Sequence, residues 1–150
     1  MGIKKGEGFV AQASSLVGIL SKSYNVEIYP YTTAEDFISS WNSMSGNYEA
    51  IFIIGHGTAG KLNFKGSVSI AAKGGDYAFS SLKAVNANNL LLYCCNGATL
   101  DSYNNSTAQN FANLTDAPVG AVQNGKLNIG MPGCIPKPVM GGTWVIIYPD

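Results

Sequence analysis

Two uninterrupted apolar runs constrain the fold of this chain more than any other feature. The first runs from Ala50 to Ile54 and is rich in isoleucine, and the second runs from Leu90 to Cys94. Strands with one solvated face alternate apolar and polar residues, whereas strands covered on both faces are apolar throughout. The two runs therefore predict neighbouring strands of a parallel sheet with both faces covered.

Helical patterns separate the predicted strands. Residues 9–20 carry apolar side chains at helical spacing, and the pairs Thr32/Glu35 and Ser106/Gln109 have the capping-box spacing that opens a helix. A short helix is predicted over residues 79–84. Further strands are predicted over residues 26–29, 62–64, 68–72, 119–122 and 143–148, of which 62–64 and 68–72 form a small hairpin.

The carboxyl-terminal third of the chain contains the strongest hairpin signal. Asn124-Gly125 predicts a tight turn that pairs residues 119–123 with residues 126–129. A Pro-rich loop over 131–138, which contains Cys134 as a loop thiol, then precedes the last strand. Strands that alternate with helices at these lengths predict an α/β domain in three layers, with helices on both faces of a mostly parallel sheet.

Composition limits the classes of function. With 150 residues, of which 46% are hydrophobic, the chain can bury one core, so a single domain over 1–150 is expected. Charged residues make up 12% of the chain and cancel to a net charge of +0, which argues against a nucleic-acid partner. No apolar stretch has the length of a membrane span, and nothing in the sequence indicates an oligomeric state.

The cysteines and the single histidine indicate thiol chemistry rather than a metal site. Three cysteines, two of them adjacent, do not form a spaced disulfide framework, and one histidine without a CxxC motif does not suggest zinc. We therefore expect no metal site.

His56 and Cys95 follow directly on the two buried runs. His56, the only histidine, lies in Gly55-His56-Gly57, and Cys95 ends the pair Cys94-Cys95. Catalytic groups of α/β sheets lie beyond the carboxyl ends of strands, and a nucleophilic thiol needs a base within hydrogen-bond reach. Taken singly, His56 is more typical of a turn residue that caps a strand, and Cys95 is typical of a buried core thiol. Together they favour a cysteine hydrolase, with Cys94 on the opposite face of its strand and packed in the core.

The two motifs resemble those of the clan CD cysteine peptidases, which include caspases, gingipains, clostripain and separase. Those proteins carry an apolar strand ending in His-Gly and a later apolar strand ending in the nucleophilic cysteine. The nearer resemblance is to the caspase-like domain of large bacterial surface and secreted proteins, whose cysteine strand reads Leu-Leu-Tyr-Gly-Cys-Asn. Residues 91–96 match that strand, with Cys94 in place of glycine, and the resemblance extends over residues 49–121.

The resemblance implies a three-layer caspase-like (Rossmann-like) domain and an endopeptidase without a cofactor. Cys95 would attack the peptide carbonyl as a thiolate, and His56 would act as the base or protonate the leaving amine. The N–H groups of Gly57 and Cys95 would bind the oxyanion. A peptide or protein substrate and a bacterial protein, secreted or part of a larger secreted protein, are implied as well.

Two other functions stay open at this point. Cys94 in place of glycine is compatible with an inactive relative that serves as a binding or scaffold module of a larger bacterial protein. The adjacent Cys94-Cys95 pair also allows a thiol redox or sensor role, although a disulfide between neighbours closes a strained ring.

Overall fold

The fold of this computed structural model, which describes residues 9–128 and 136–150, combines three α-helices with twelve short strands over those residues. The helices are α1 (Phe9–Leu20), α2 (Ala34–Ser43) and α3 (Thr107–Thr115), and Phe79–Ser81 forms a 3₁₀ helix. The strands are β1 (Asn47–Tyr48), β2 (Ile51–Ile54), β3 (His56–Thr58), β4 (Lys61–Phe64), β5 (Val68–Ala71), β6 (Tyr77–Ala78), β7 (Asn86–Ala87), β8 (Leu90–Tyr93), β9 (Val119–Gln123), β10 (Lys126–Asn128), β11 (Lys137–Val139) and β12 (Thr143–Ile147).

The central sheet has four strands in the order β12-β9-β8-β2. Strands β2 and β8 are parallel, as are β8 and β9, whereas β12 is antiparallel to β9. The two apolar runs thus form adjacent parallel strands, as their composition predicts, and their register aligns Ile54 with Tyr93.

The predicted mostly parallel, three-layer Rossmann-like or caspase-like sheet is wrong. The remaining strands form a second four-stranded sheet, β3-β4-β5-β6, and the two-stranded pairs β1-β7 and β10-β11. The β3-β4, β4-β5 and β10-β11 pairs are antiparallel. The connections at 59–60 and 65–67 are short enough to close local antiparallel hairpins. Strands β5 and β6 pair in parallel. The fold is therefore a small mixed α/β fold with several small sheets.

Two of the predicted hairpins have opposite outcomes. The hairpin of residues 62–64 and 68–72 is confirmed as β4 and β5. The pairing of β9 across Asn124-Gly125 is wrong, because β8 and β12 occupy the two edges of β9, and β10 pairs with β11 instead. Residue 129 and most of the predicted Pro-rich loop, including Cys134, lie outside the described residues.

The predicted helices are found with small shifts. Helices α1 and α3 have the expected positions, and Ser106 caps α3 by accepting from the Gln109 N–H. Helix α2 is capped one residue later than predicted, by a capping box of Thr33 and Asp36. The predicted strand over 26–29 is wrong, since that segment is irregular, and only part of 79–84 is helical.

The core lies on both faces of the central sheet, because successive residues of a strand point to opposite faces. One cluster packs α2 and α3 against alternate strand residues such as Ile53 and Leu92. The other packs Ala13 of α1 against Ile54 and Tyr93. Within the described residues, no helix has the length and apolar character that crossing a bilayer requires.

Candidate active site

The His56 and Cys95 motifs leave the central sheet at the same edge. Ile54 and Tyr93 are the last aligned pair of β2 and β8, and the Gly55 N–H donates to the Tyr93 carbonyl at 3.1 Å. This hydrogen bond extends the parallel ladder by one residue. His56 and Cys95 consequently follow the ends of two adjacent, buried strands, where the sequence pattern predicts them.

His56 begins strand β3 rather than a free loop. Thr58 and Lys61 flank a two-residue turn and therefore form the hydrogen-bonded pair that closes the β3-β4 hairpin. Gly57, opposite Leu62, occupies the next position, which is a non-hydrogen-bonded pair. The N–H of Gly57 is thus directed away from β4.

Gly57 packs directly against the cysteine motif. A Cβ atom at Gly57 would lie 2.5 Å from the Cys95 carbonyl oxygen and 2.8 Å from the Cys94 Sγ atom, so a side chain cannot be accommodated without a shift. Consecutive Cα atoms are about 3.8 Å apart, which puts the Cα atoms of His56 and Cys95 within about 10 Å of each other. An imidazole and a thiol can span this separation when the two side chains turn toward each other.

The Cys95 thiol is partly exposed and has a defined orientation. Its Sγ atom accepts a hydrogen bond from the Leu127 N–H at 3.4 Å. The turn that carries it bends at Asn96, whose φ is 52°, and the Asn96 N–H donates to the Gly125 carbonyl at 2.9 Å. The turn after β8 is therefore tied to the segment that follows β9.

Cys94 has a different environment from Cys95. Its side chain is 2% exposed and belongs to the core cluster on the α2 and α3 face, so the prediction that it packs in the core is confirmed. Burial raises the pKa of the Cys94 thiol well above its ordinary value. A thiol that stays protonated is a poor nucleophile, which leaves Cys95 as the reactive member of the pair.

Tyr31 supports the site, although the sequence pattern does not indicate it. Its hydroxyl donates to the Ile54 carbonyl at 2.7 Å, and a Cβ atom at Gly55 would lie 2.6 Å from the hydroxyl oxygen. The ring packs edge-on against Phe37 and Phe64, and burial raises the pKa of Tyr31. Tyr31 thus fixes the position of the end of β2, just before His56. It lies in an irregular segment that contains no recognisable motif.

A cavity of about 530 Å³ opens beside His56. Its described lining includes Tyr31, Thr58, Lys61 and Lys65. No cysteine is among the described residues that line it, so the cavity itself does not bring Cys95 beside His56. His56 is exposed and lies at the rim, where it can meet a molecule that occupies the cavity.

No family model, curated protein or solved structure matches this chain. Among the described residues, no three His, Cys, Asp or Glu side chains are grouped so that they could hold a metal ion.

Proposed function

We propose that the protein is a cysteine endopeptidase related to clan CD, with Cys95 as nucleophile and His56 as general acid and base. The observation that carries the proposal is the contact of Gly57 with the Cys95 carbonyl, because it joins the histidine motif to the cysteine motif. A nucleophile and its base must lie within reach of each other for thiolate catalysis. The shared strand edge and the partial exposure of Cys95 support the same function.

The proposed reaction assigns a defined role to each group at each step. His56 takes the proton of the Cys95 thiol, the sulfur forms a bond to the peptide carbonyl carbon as the carbonyl π bond opens, and the resulting oxyanion accepts hydrogen bonds from the N–H groups of Gly57 and Cys95. His56 then protonates the nitrogen of the leaving amine, and the C–N bond breaks to leave a thioester. Water, deprotonated by His56, attacks the thioester carbonyl, and the released sulfur returns to the thiol.

Three single substitutions test this proposal in a Cys134→Ser background, which removes the third cysteine of the sequence. We expect Cys95→Ala to abolish both iodoacetamide labelling, followed by intact mass, and cleavage of a peptide library. His56→Ala should lower cleavage by about 100-fold or more, because general acid–base catalysis contributes at least that factor. Cys94→Ala, the matched cysteine control, should leave labelling and cleavage within about threefold, since Cys94 is buried.

Either of two results would contradict the assignment. If Cys94→Ala abolishes labelling while Cys95→Ala does not, Cys94 is the nucleophile. If His56→Ala cleaves as fast as the parent protein, the histidine has no part in catalysis.

A binding module without turnover is the second candidate function. It is favoured by the Cys94 side chain, which occupies the position of the glycine in the related motif and packs against Gly57. In that case Cys95 would still label with iodoacetamide, the protein would cleave no member of the library, and selected peptides would bind it reversibly.

A further inference from the structure

A second cavity, of about 290 Å³, lies between the irregular segment 25–31, helix α2 and strand β2. Of the described residues, Tyr31 alone lines both this cavity and the one beside His56. Aromatic side chains make up much of the wall. They are Tyr29, Tyr31, Phe37, Trp41, Tyr48 and Phe52.

The described charged residues that line this cavity all have the same sign. Its described charged residues are Glu27 and Glu49, both acidic, whereas the cavity beside His56 carries Lys61 and Lys65. Aromatic faces attract cations through the negative face of the ring, and a nearby carboxylate adds to the attraction. An acidic, aromatic-walled cavity therefore selects a cation with an apolar body over a neutral or anionic molecule.

Two tyrosine hydroxyls hold the Glu27 carboxylate in position. The Tyr29 hydroxyl donates to Glu27 Oε2, and the Tyr48 hydroxyl donates to the same oxygen at 3.2 Å. Hydrogen bonding to Glu27 raises the pKa of Tyr29, so its phenol stays a neutral donor. The two donors fix the carboxylate group beside the aromatic rings of Tyr29 and Tyr48.

We propose that this cavity binds a small organic cation, an amine or quaternary ammonium group on an apolar body, with its charge beside Glu27 and its body against the aromatic wall. The volume is close to the lower limit of about 300 Å³ for small-molecule pockets, so a single-ring arylalkylamine fits its size. The site is separate from the proposed peptidase centre and does not depend on Cys95.

Binding can be measured on a full-length Trp144→Phe, Cys95→Ala protein. Trp41, in the cavity wall, is then the only tryptophan and reports occupancy by fluorescence, while the loss of Cys95 removes the proposed nucleophile. Phenethylamine is the cationic probe, 2-phenylethanol the neutral one and 3-phenylpropionate the anionic one. We expect saturable binding of phenethylamine, at least about tenfold tighter than that of 2-phenylethanol, and none of 3-phenylpropionate.

Glu27→Gln tests whether the negative charge of Glu27 contributes to binding, and Glu35→Gln is its matched control. Both carboxylates are exposed and accept a hydrogen bond from a tyrosine, Tyr77 in the case of Glu35, but Glu35 is not part of the cavity lining. Phenethylamine should bind about tenfold more weakly to Glu27→Gln and within about twofold of the parent to Glu35→Gln.

Three outcomes would overturn the proposal, provided that circular dichroism shows both variants to be folded. These are no saturable binding of phenethylamine by fluorescence or calorimetry, equal affinity for the amine and the alcohol, and equal losses in the two variants. Because Cys95 is absent from the protein used, none of these outcomes bears on the peptidase proposal.

Discussion

At the scale of single residues, Gly57 is the position on which the contact between the histidine and cysteine motifs depends. In Gly57→Ala the new Cβ atom would meet the Cys95 carbonyl oxygen at 2.5 Å, and backbone cannot yield as a flexible side chain can. We expect a loss of about 1–3 kcal/mol in the free energy of unfolding by urea, together with slower peptide cleavage.

Gly18→Ala is the matched control for that substitution. Gly18 lies in α1, and a Cβ atom added there would meet no neighbouring atom within 4 Å, so alanine should stabilise the helix by about 0.5–1 kcal/mol. Equal stability of Gly57→Ala and the parent protein would mean that the two motifs do not pack as tightly as the distances indicate.

The residues at the strand ends could be predicted from the sequence. The residues that hydrogen-bond to these strand ends could not. His56 and Cys95 directly follow apolar runs, and the ends of adjacent parallel strands meet at one edge. Tyr31 and Leu127 reach the same edge from distant parts of the chain, through a hydroxyl and a backbone N–H. Their roles depend on tertiary packing, which local periodicity does not encode.

At the scale of elements, Thr99 joins the turn after β8 to the turn after β9. Its hydroxyl accepts from the Asn124 N–H at 2.7 Å and donates to Asn96 Oδ1 at 3.0 Å. Thr99→Val keeps the shape but loses both bonds, which should cost about 1–2 kcal/mol of unfolding free energy and slow the labelling of Cys95. Thr99→Ser keeps the hydroxyl and should restore the labelling rate. If valine and serine behave alike, this link does not hold the Cys95 turn.

The same pair of turns explains why the hairpin predicted at Asn124-Gly125 is wrong. Asn124 has a φ of 56°, but Gly125 lacks the positive φ that a two-residue Asn-Gly hairpin turn also requires, so the predicted tight turn is wrong as well. The signal does not specify which strands pair across the turn. Strand β12, much later in the chain, takes the edge of β9 that a local hairpin would have used.

At the scale of the whole molecule, the sequence indicates the central strands but not the division into several sheets. Continuous apolar runs predict β2 and β8, because burial on both faces is a local property of composition. The pairing of strands β3 to β6 depends on the short turns between them and on which strand edges are still unpaired. The apolar residues of 26–29 indicate burial, but they do not specify a ladder, and that segment instead walls the cavity beside α2.

The two core clusters share strands β2, β8 and β9, so we expect them to unfold as one cooperative unit. Each cluster contains or contacts one of the two tryptophans, Trp41 on the α2 and α3 face and Trp144 on the α1 face. In the single-tryptophan variants Trp144→Phe and Trp41→Phe, urea transitions followed by fluorescence should coincide with those followed by far-ultraviolet circular dichroism of the same variant. Comparison within each variant cancels the cost of the substitution itself. A fluorescence midpoint that departs from the circular dichroism midpoint in either variant would show that the two faces of the sheet unfold separately, and that the chain is not a single domain.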